Sequence, residues 1–496
     1  MINIHGDPQT QMAFNWFSHV DDLCGMVEIF LGADKVQTVN AICIPHAGSI
    51  ENKAVAKELI PNTTYSFRVG NPDKWSTTGT FTTAKESKGA FTFIYTTDQQ
   101  AATPAQFEIS SITSHTAFAN HPDAKFWLSC GDVVENSYED EWKQFFETQQ
   151  DLFLNIPFAP VRGNHDGTAN FRTHFNTENF RNTDLSGSTY TFNFGDAQFF
   201  ALNSERWDNS TTLNAEYIKD LKNWMHEQIA THPDVKWRIV FLHKNIYTGG
   251  PHQKEKKSRI WRDSIAPLFD ELNIDIVFQG HDHIYEVIGP VYNKDTVQAS
   301  VSQTVNVPFD SIRNVTAKSG GRYNVCKGTL YFLNNASGRK RYQLNAFNSM
   351  PDSASCGIPN YSSLFTGRFG QPGNPTYSLV TVSTDFITIT TYEIVNKNAE
   401  KFDEISVIKN CPRISRTTKQ NITIYPNPTT GELTMDNGQL TIDNVEIFDI
   451  YGRSLSPQTS YPTPHTSINI SHLQAGIYFL KIKTTTGDEV KKVIKY

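Results

Sequence analysis

Phe158-Ala159-Pro160-Val161-Arg162-Gly163-Asn164-His165-Asp166 is a short apolar run that delivers an asparagine, a histidine and an aspartate into one turn. A buried strand ending in two side chains able to ligate a metal is hard to account for by packing alone. Four other turns follow the same grammar: Thr97-Asp98-Gln99-Gln100, Gly131-Asp132, His243 after Ile239-Val240-Phe241-Leu242, and Gly280-His281-Asp282-His283. In open α/β sheets ligand-binding loops gather beyond the carboxyl ends of the strands, so these turns define one site. Asp, Asn and His suit hard or borderline divalent ions, imidazole favouring Zn or Fe and carboxylate admitting Mn or Mg. Two ions need one ligand that reaches both, and the two-oxygen carboxylate of Asp132 is the natural bridge.

Working outward, apolar strands alternate with amphipathic helices near 105–119, 139–153, 214–231 and 258–272. This alternation predicts an α/β layered domain with parallel strand segments. The runs 190–194, 197–202, 330–333, 378–382 and 386–392 read as antiparallel, so mixed sheets flanked by helices are expected over 90–395. Residues 1–86 show short period-two runs broken by Pro, Gly and Asn turns, the pattern of a small β-sandwich. A polar stretch at 396–420, with a Lys/Arg/Thr cluster at 413–419, reads as a linker, and short strands resume over 421–496.

A length of 496 residues is too long for one ordinary core and fits this multidomain division. The net charge of -7 disfavours nucleic acid as a main partner. No window approaches the roughly 20 apolar residues of a membrane span, so no transmembrane segment is expected. Met1-Ile2-Asn3-Ile4-His5 has neither the basic segment nor the apolar run of a secretory leader. The six cysteines form no C-x-x-C pair, which removes zinc-knuckle and thioredoxin-like readings. Cys24 could bridge Cys43, and two of Cys326, Cys356 and Cys411 could pair; Cys130, closing an apolar strand, reads as a small buried hydrophobe. P-loop, Gly-x-Ser-x-Gly and His-Glu-x-x-His motifs are absent from the sequence, against kinase-like, serine-hydrolase and zincin chemistry.

The five turns, in this order and each closing a strand, resemble the calcineurin-like metallophosphoesterases, including the purple acid phosphatases, over 91–395. The resemblance implies a four-layer α/β sandwich in which Asp98, Asp132 and His283 hold one ion and Asp132, Asn164, His243 and His281 hold the other. Gln100 stands where many relatives have histidine and is a candidate ligand through its amide oxygen. Glu135 occupies the slot of the iron-ligating tyrosine of purple acid phosphatases, which leaves the pair of divalent or trivalent ions open among Fe, Zn and Mn. His165 resembles the family's histidine that contacts the phosphate or protonates the leaving group, with Asp166 orienting it. Tyr247 and His252, in the loop after His243, are further candidate catalytic groups. Arg162 reads as a partner of phosphate or of a carboxylate.

Leu59-Ile60-Pro61 through Gly70 resembles the ending of fibronectin type III domains, and with Gly6-Asp7-Pro8 through Trp16 it is similar to the N-terminal domain of purple acid phosphatases. Three segments, Ile422 to Gly431, Val445 to Arg453 and Leu473 to Ile482, resemble the C-terminal sorting domain of type IX secretion. That resemblance implies export to the medium or cell surface by the type IX machinery, with a leader expected upstream of this sequence.

Two ions about 3.5–4 Å apart activate a water and clamp phosphoryl oxygens for in-line attack, so no protein nucleophile is needed. The expected activity is hydrolysis of small phosphate monoesters, as in acid phosphatases. The same site would serve a phosphodiesterase or nucleotidase, and a reading of another class is a non-catalytic surface binding protein on this scaffold.

Overall fold

The computed structural model describes residues 1–86, 89–177, 180, 187–206, 211–293, 295–296, 316–317, 321–342, 366–409, 411, 422–436, 442–456, 465–484 and 487–496. Cys356 and the 413–419 cluster lie outside them. The chain divides into two compact units, Met1–Asn410 and Cys411–Tyr496.

Two large mixed sheets face each other in the first unit. One has eleven strands, in which Thr376–Val382, Phe91–Thr96, Trp127–Ser129 and Phe158–Pro160 are consecutive neighbours. The other has nine, with Ala197–Leu202, Trp237–Leu242, Ile276–Gln279 and Thr329–Asn334 at its centre. Side chains alternate across each strand. Phe93 and Tyr95 therefore point into the inter-sheet core with Leu128, Phe199, Phe241, Phe278 and Phe332. Ile94, Trp127 and Phe158 point the other way, onto the helices Pro104–Asn120 and Glu139–Glu147. Phe200, Val240 and Val277 do the same on the opposite sheet, against Thr211–Thr231, Lys256–Ser264 and Ala266–Leu272. The order helix, sheet, sheet, helix is the four-layer sandwich expected.

Some details differ. Ala197–Leu202 runs parallel to Trp237–Leu242, and Thr329–Asn334 parallel to Ile276–Gln279, where antiparallel pairing was expected. These strands are buried on both faces, so their sequence carries no alternation from which direction could be read. The helix near 258–272 is two helices, Lys256–Ser264 and Ala266–Leu272, with Pro267 in the first turn of the second, where it lacks the N–H to continue the first. Within the expected linker, Asn398–Ile408 is a sheet strand paired along its length with Phe386–Val395. Asp403, Ile405 and Val407 are buried while Glu404 is exposed, and the charged residues of this outlying strand make its composition look like a linker.

The N-terminal sandwich packs Phe14 against Phe67 and Phe81, with Val27 and Ile29 in the same core. One of its two layers is continuous with the eleven-stranded sheet: Ile2–Asn3 pairs in parallel with the strand Phe158–Pro160, at Asn3 opposite Phe158. Cys24 and Cys43 are disulfide-bonded, Cys326 and Cys411 also carry disulfide bonds, and Cys130 is free and buried. The second unit is a sandwich of a three-stranded and a four-stranded sheet around Leu433, Met435, Val445, Ile447, Leu480 and Ile482. No helix among the described residues is long and apolar enough to cross a membrane.

Candidate metal centre

The five motif turns meet where the carboxyl ends of the two sheets come together. Asp98 follows Phe91–Thr96, Asp132 follows Trp127–Ser129, and Asn164 follows Phe158–Pro160, all in one sheet; His243 follows Trp237–Leu242 and His281 follows Ile276–Gln279 in the other. Backbone bonds from Asp98 N to Gly131 O (3.0 Å) and from Gln100 N to Asp132 O (2.8 Å) lay the first two turns side by side. Asp98, Gln100, Asp132 and His281 all have positive φ, at 53°, 30°, 50° and 70°. Such strain, about 1–3 kcal/mol per residue, persists only where surrounding structure over-determines it, and it clusters at functional sites. The glycine of Gly-Asn-His-Asp has its own reason: a Cβ on Gly163 would stand 2.1 Å from Asp132 Oδ1.

The ligand candidates fall into two groups. His283 Nε2 lies 3.3 Å from Asp98 Oδ1, while Asp98 Oδ2 accepts from Thr97 Oγ1 (2.7 Å) and His281 N (3.0 Å). His243 Nε2 lies 3.2 Å from Asp132 Oδ2 and 3.0 Å from Asn164 Oδ1. Ligand atoms of Asp132, His243 and His281 lie within 4.8 Å of one another. His243 Nδ1 donates to the Cys130 carbonyl at 2.8 Å, which aims Nε2 at the site. Burial opposes a charged His243, but the Asp132 carboxylate outweighs it and raises the imidazole to about 9; reciprocally, despite burial, Asp132 is held below the usual carboxylate range by His243.

This donor set fits a pair of metal ions. The Gln100 Oε1 acceptor is buried without a partner, as an oxygen awaiting an ion or its water would be. A cation already stands against the second group: Lys244 Nζ lies 3.1 Å from Asn164 Oδ1 and 2.8 Å from His281 Nε2. Glu255 meets that ammonium at 3.1 Å and His281 Nε2 at 2.8 Å, and Glu205 lies 3.9 Å away. Burial, then the charges of His243, Lys244 and His252, hold His281 well below the usual imidazole range, in the neutral form a ligand requires.

Two expectations need correction. Asp166 does not orient His165: its carboxylate accepts from the backbone N–H groups of Asp132 (2.8 Å), Gly163 (2.9 Å) and Val133 (3.0 Å), stitching two ligand turns together. His165 is oriented instead by the Glu135 carbonyl, 2.6 Å from Nδ1, while its own N–H donates to Asp132 Oδ1 at 2.8 Å. Burial and the Asp132 charge push Asp166 up to about 6, against the N–H donors. Tyr247 is a core residue, 1% exposed, its ring 4.7 Å from that of Tyr331 and under the Arg262 guanidinium. The whole loop after His243 is buried, and within it Tyr247 joins Ile246 in the apolar core with Trp261, Tyr331 and Leu333. Arg162 donates to the Asp166 carbonyl at 2.7 Å.

His252 does reach the site, its ring tilted by 34° against that of His281 at 3.9 Å, with Nδ1 2.6 Å from Asp282 Oδ1. Asp282 is the central residue of Gly-His-x-His, and its role was readable only from the partner it finds in space. Lys244 follows His243 directly, a basic neighbour that could have drawn attention. Glu255, Tyr342, stacked 4.3 Å from His283, and Lys340, 2.6 Å from Glu135 Oε1, come from other loops and carried no signal.

Residues 105–285 match the calcineurin-like phosphoesterase family, residues 1–83 the purple acid phosphatase N-terminal domain, and residues 423–496 the secretion system C-terminal sorting domain. The chain is similar to acid phosphatase type 7 of Danio rerio, 21% identical over 295 residues covering 55% of this chain and 65% of that protein. A probable glycerophosphodiester phosphodiesterase of Arcobacter nitrofigilis is 24% identical over 200 residues, 40% of this chain and 70% of that one. The match thus spans just under two thirds of the fish protein. In fold, the purple acid phosphatase of yellow lupin seeds superposes with a TM-score of 0.61 at 15% identity, covering 82% of this chain and 73% of that one. The chain therefore carries a purple acid phosphatase N-terminal domain, a calcineurin-like phosphoesterase domain and a secretion system C-terminal sorting domain.

Proposed function

We propose that this protein is a secreted, two-metal phosphoesterase acting on small phosphate monoesters. The observation that carries the reading is the convergence of Asp98, Asp132, Asn164, His243, His281 and His283 from five strand ends of two sheets, with left-handed backbone at three of them. Asp98, Asp132 and His283, with Gln100 beside them, would hold one ion; Asp132, Asn164, His243 and His281 would hold the other. Bound there, Fe, Zn or Mn would supply an activated water and neutralise phosphoryl charge.

The chain's own groups do the rest. Asn164 and His165 stand at the open side of the centre, His165 with Nδ1 held by the Glu135 carbonyl so that Nε2 is left for phosphate or the leaving group. His252, with Nδ1 held by Asp282, offers Nε2 in the same way. Either histidine can hold a proton at Nε2 for the departing alkoxide. Asp166 positions the backbone of Asp132 and Gly163 rather than touching substrate.

The sorting domain supports export through the type IX machinery, and its truncation should move activity from medium to cells in a host with that system. One panel tests the substrate class: an aryl phosphate monoester, the matching diester and nucleotides, from pH 5 to 9 with defined metals. The monoester should be hydrolysed fastest. A diester rate well above it would replace the leading reading with the phosphodiesterase one, which the similarity to the Arcobacter protein supports.

A further inference from the structure

Three potential ligands outside the strand-end motifs, His46, Glu139 and His174, converge at the seam between the N-terminal sandwich and the phosphoesterase domain. His46 Nε2 lies 2.8 Å from Glu139 Oε1, and His174 Nε2 lies 3.2 Å from Glu139 Oε2. A ligand atom from each of the three residues lies within 4.8 Å of the other two.

We propose that His46, Glu139 and His174 bind one divalent transition-metal ion of the zinc class, separate from the phosphoesterase centre. Each ligand is delivered by a fixed element. His46 ends the strand Ile42–His46 at a two-residue turn, Ala47-Gly48, with positive φ at both positions, and Ser49 Oγ closes the turn on the His46 carbonyl at 2.7 Å. Glu139 is the first residue of the helix Glu139–Glu147, and His174 the last of Thr168–His174. The His174 ring is pinned by a face-to-face stack on Trp142 at 4.8 Å and walled by Phe17 at 5.0 Å.

The geometry suits a small tetrahedral ion. Arms of about 2.0–2.2 Å place neighbouring ligand atoms about 3.3–3.6 Å apart, so His174 Nε2, 3.2 Å from Glu139 Oε2, is nearly in place, while His46 Nε2, 2.8 Å from Glu139 Oε1, would draw back by about 0.5 Å to admit the ion. Two imidazoles and a carboxylate are a borderline donor set, which favours Zn over Mg or Ca. The fourth position would be taken by water, since the side chains of His46 and Glu139 are 25% and 37% exposed while His174 is 5% exposed. The ion would fasten a hairpin of the sandwich to two helices of the phosphoesterase domain. A carboxylate shared by two imidazole N–H groups makes the same contacts without an ion, so metal content separates the two states.

Full-length wild type, His46→Ala, Glu139→Gln and Asp132→Asn proteins should be saturated with Zn2+, desalted and assayed for metal by mass spectrometry. Wild type is expected to hold one ion per chain more than His46→Ala or Glu139→Gln, with phosphatase turnover unchanged in both. Asp132→Asn should keep this ion while losing ions of the strand-end centre, so failure of the phosphoesterase reading would not obscure the result. Equal metal content in wild type, His46→Ala and Glu139→Gln overturns the proposal.

Discussion

His252 Nδ1 lies 2.6 Å from Asp282 Oδ1, and the other oxygen of that carboxylate accepts from Thr248 Oγ1, also at 2.6 Å. The buried carboxylate fixes which ring nitrogen carries hydrogen and holds the imidazole against His281. If His252 delivers the leaving-group proton, His252→Gln lowers kcat by about 10²-fold or more for alkyl phosphates and less for aryl phosphates, whose leaving groups need no proton. Asp282→Asn should show the same leaving-group dependence. A loss equal across leaving groups would assign the pair to substrate binding.

Asp166 gives a contrasting forecast. Its carboxylate is fully buried and serves backbone N–H groups on two ligand turns. Asp166→Asn turns an amide N–H2 toward some of those donors, and each buried donor left unsatisfied costs about 1–3 kcal/mol. Denaturant unfolding of the metal-free protein should register a loss of that order. An unchanged midpoint, with only kcat reduced, would restore a direct catalytic role.

Lys244 occupies donor atoms that the second ion would use, with Glu255 and Glu205 as carboxylates to which it can withdraw. Removing the ammonium with Lys244→Met leaves those carboxylates under-compensated and frees Asn164 and His281. Titration calorimetry should find tighter binding of the second ion by about 10-fold, the change given by a coupling near 1.4 kcal/mol. Weaker binding would mean that Lys244 organises the ligands instead of competing for them.

His243 links metal to pH. Burial disfavours its charge, but Asp132 raises it from 6.5 to about 9 in the metal-free protein. A raised imidazole stabilises the fold fully below about 6.5 and loses that contribution as pH climbs through about 9. The metal-free protein should therefore lose melting temperature over this interval relative to His243→Gln. Metal uptake at pH 7 should release a proton, detectable as a calorimetric heat that varies with buffer ionisation enthalpy.

The layered fold and the placing of the five motif turns at strand ends were legible because both rest on local pattern. Strand followed by Gly-Asp or Gly-Asn-His-Asp is written in consecutive residues, and the alternation of strands with helices needs only periodicity. Roles that depend on a partner distant in sequence were not legible. Asp166 sits beside His165 in the chain yet reaches across to Val133, and Tyr247, one loop position from Thr248, turns into the core. The pairing of Asn3 with Phe158, and of His46 with Glu139 93 residues away, has no signature in either segment alone.

The central claim is that Asp132 joins two metal ions into one phosphoesterase centre. Metal content and aryl phosphate hydrolysis should be measured together on wild type and Asp132→Asn, after reconstitution with Zn, Mn or Fe. The account predicts that at least one ion is lost from the strand-end centre and that turnover falls by several orders of magnitude. Asp132→Asn protein that hydrolyses the ester at the wild-type rate, or wild type that holds no ion at this centre, would contradict it.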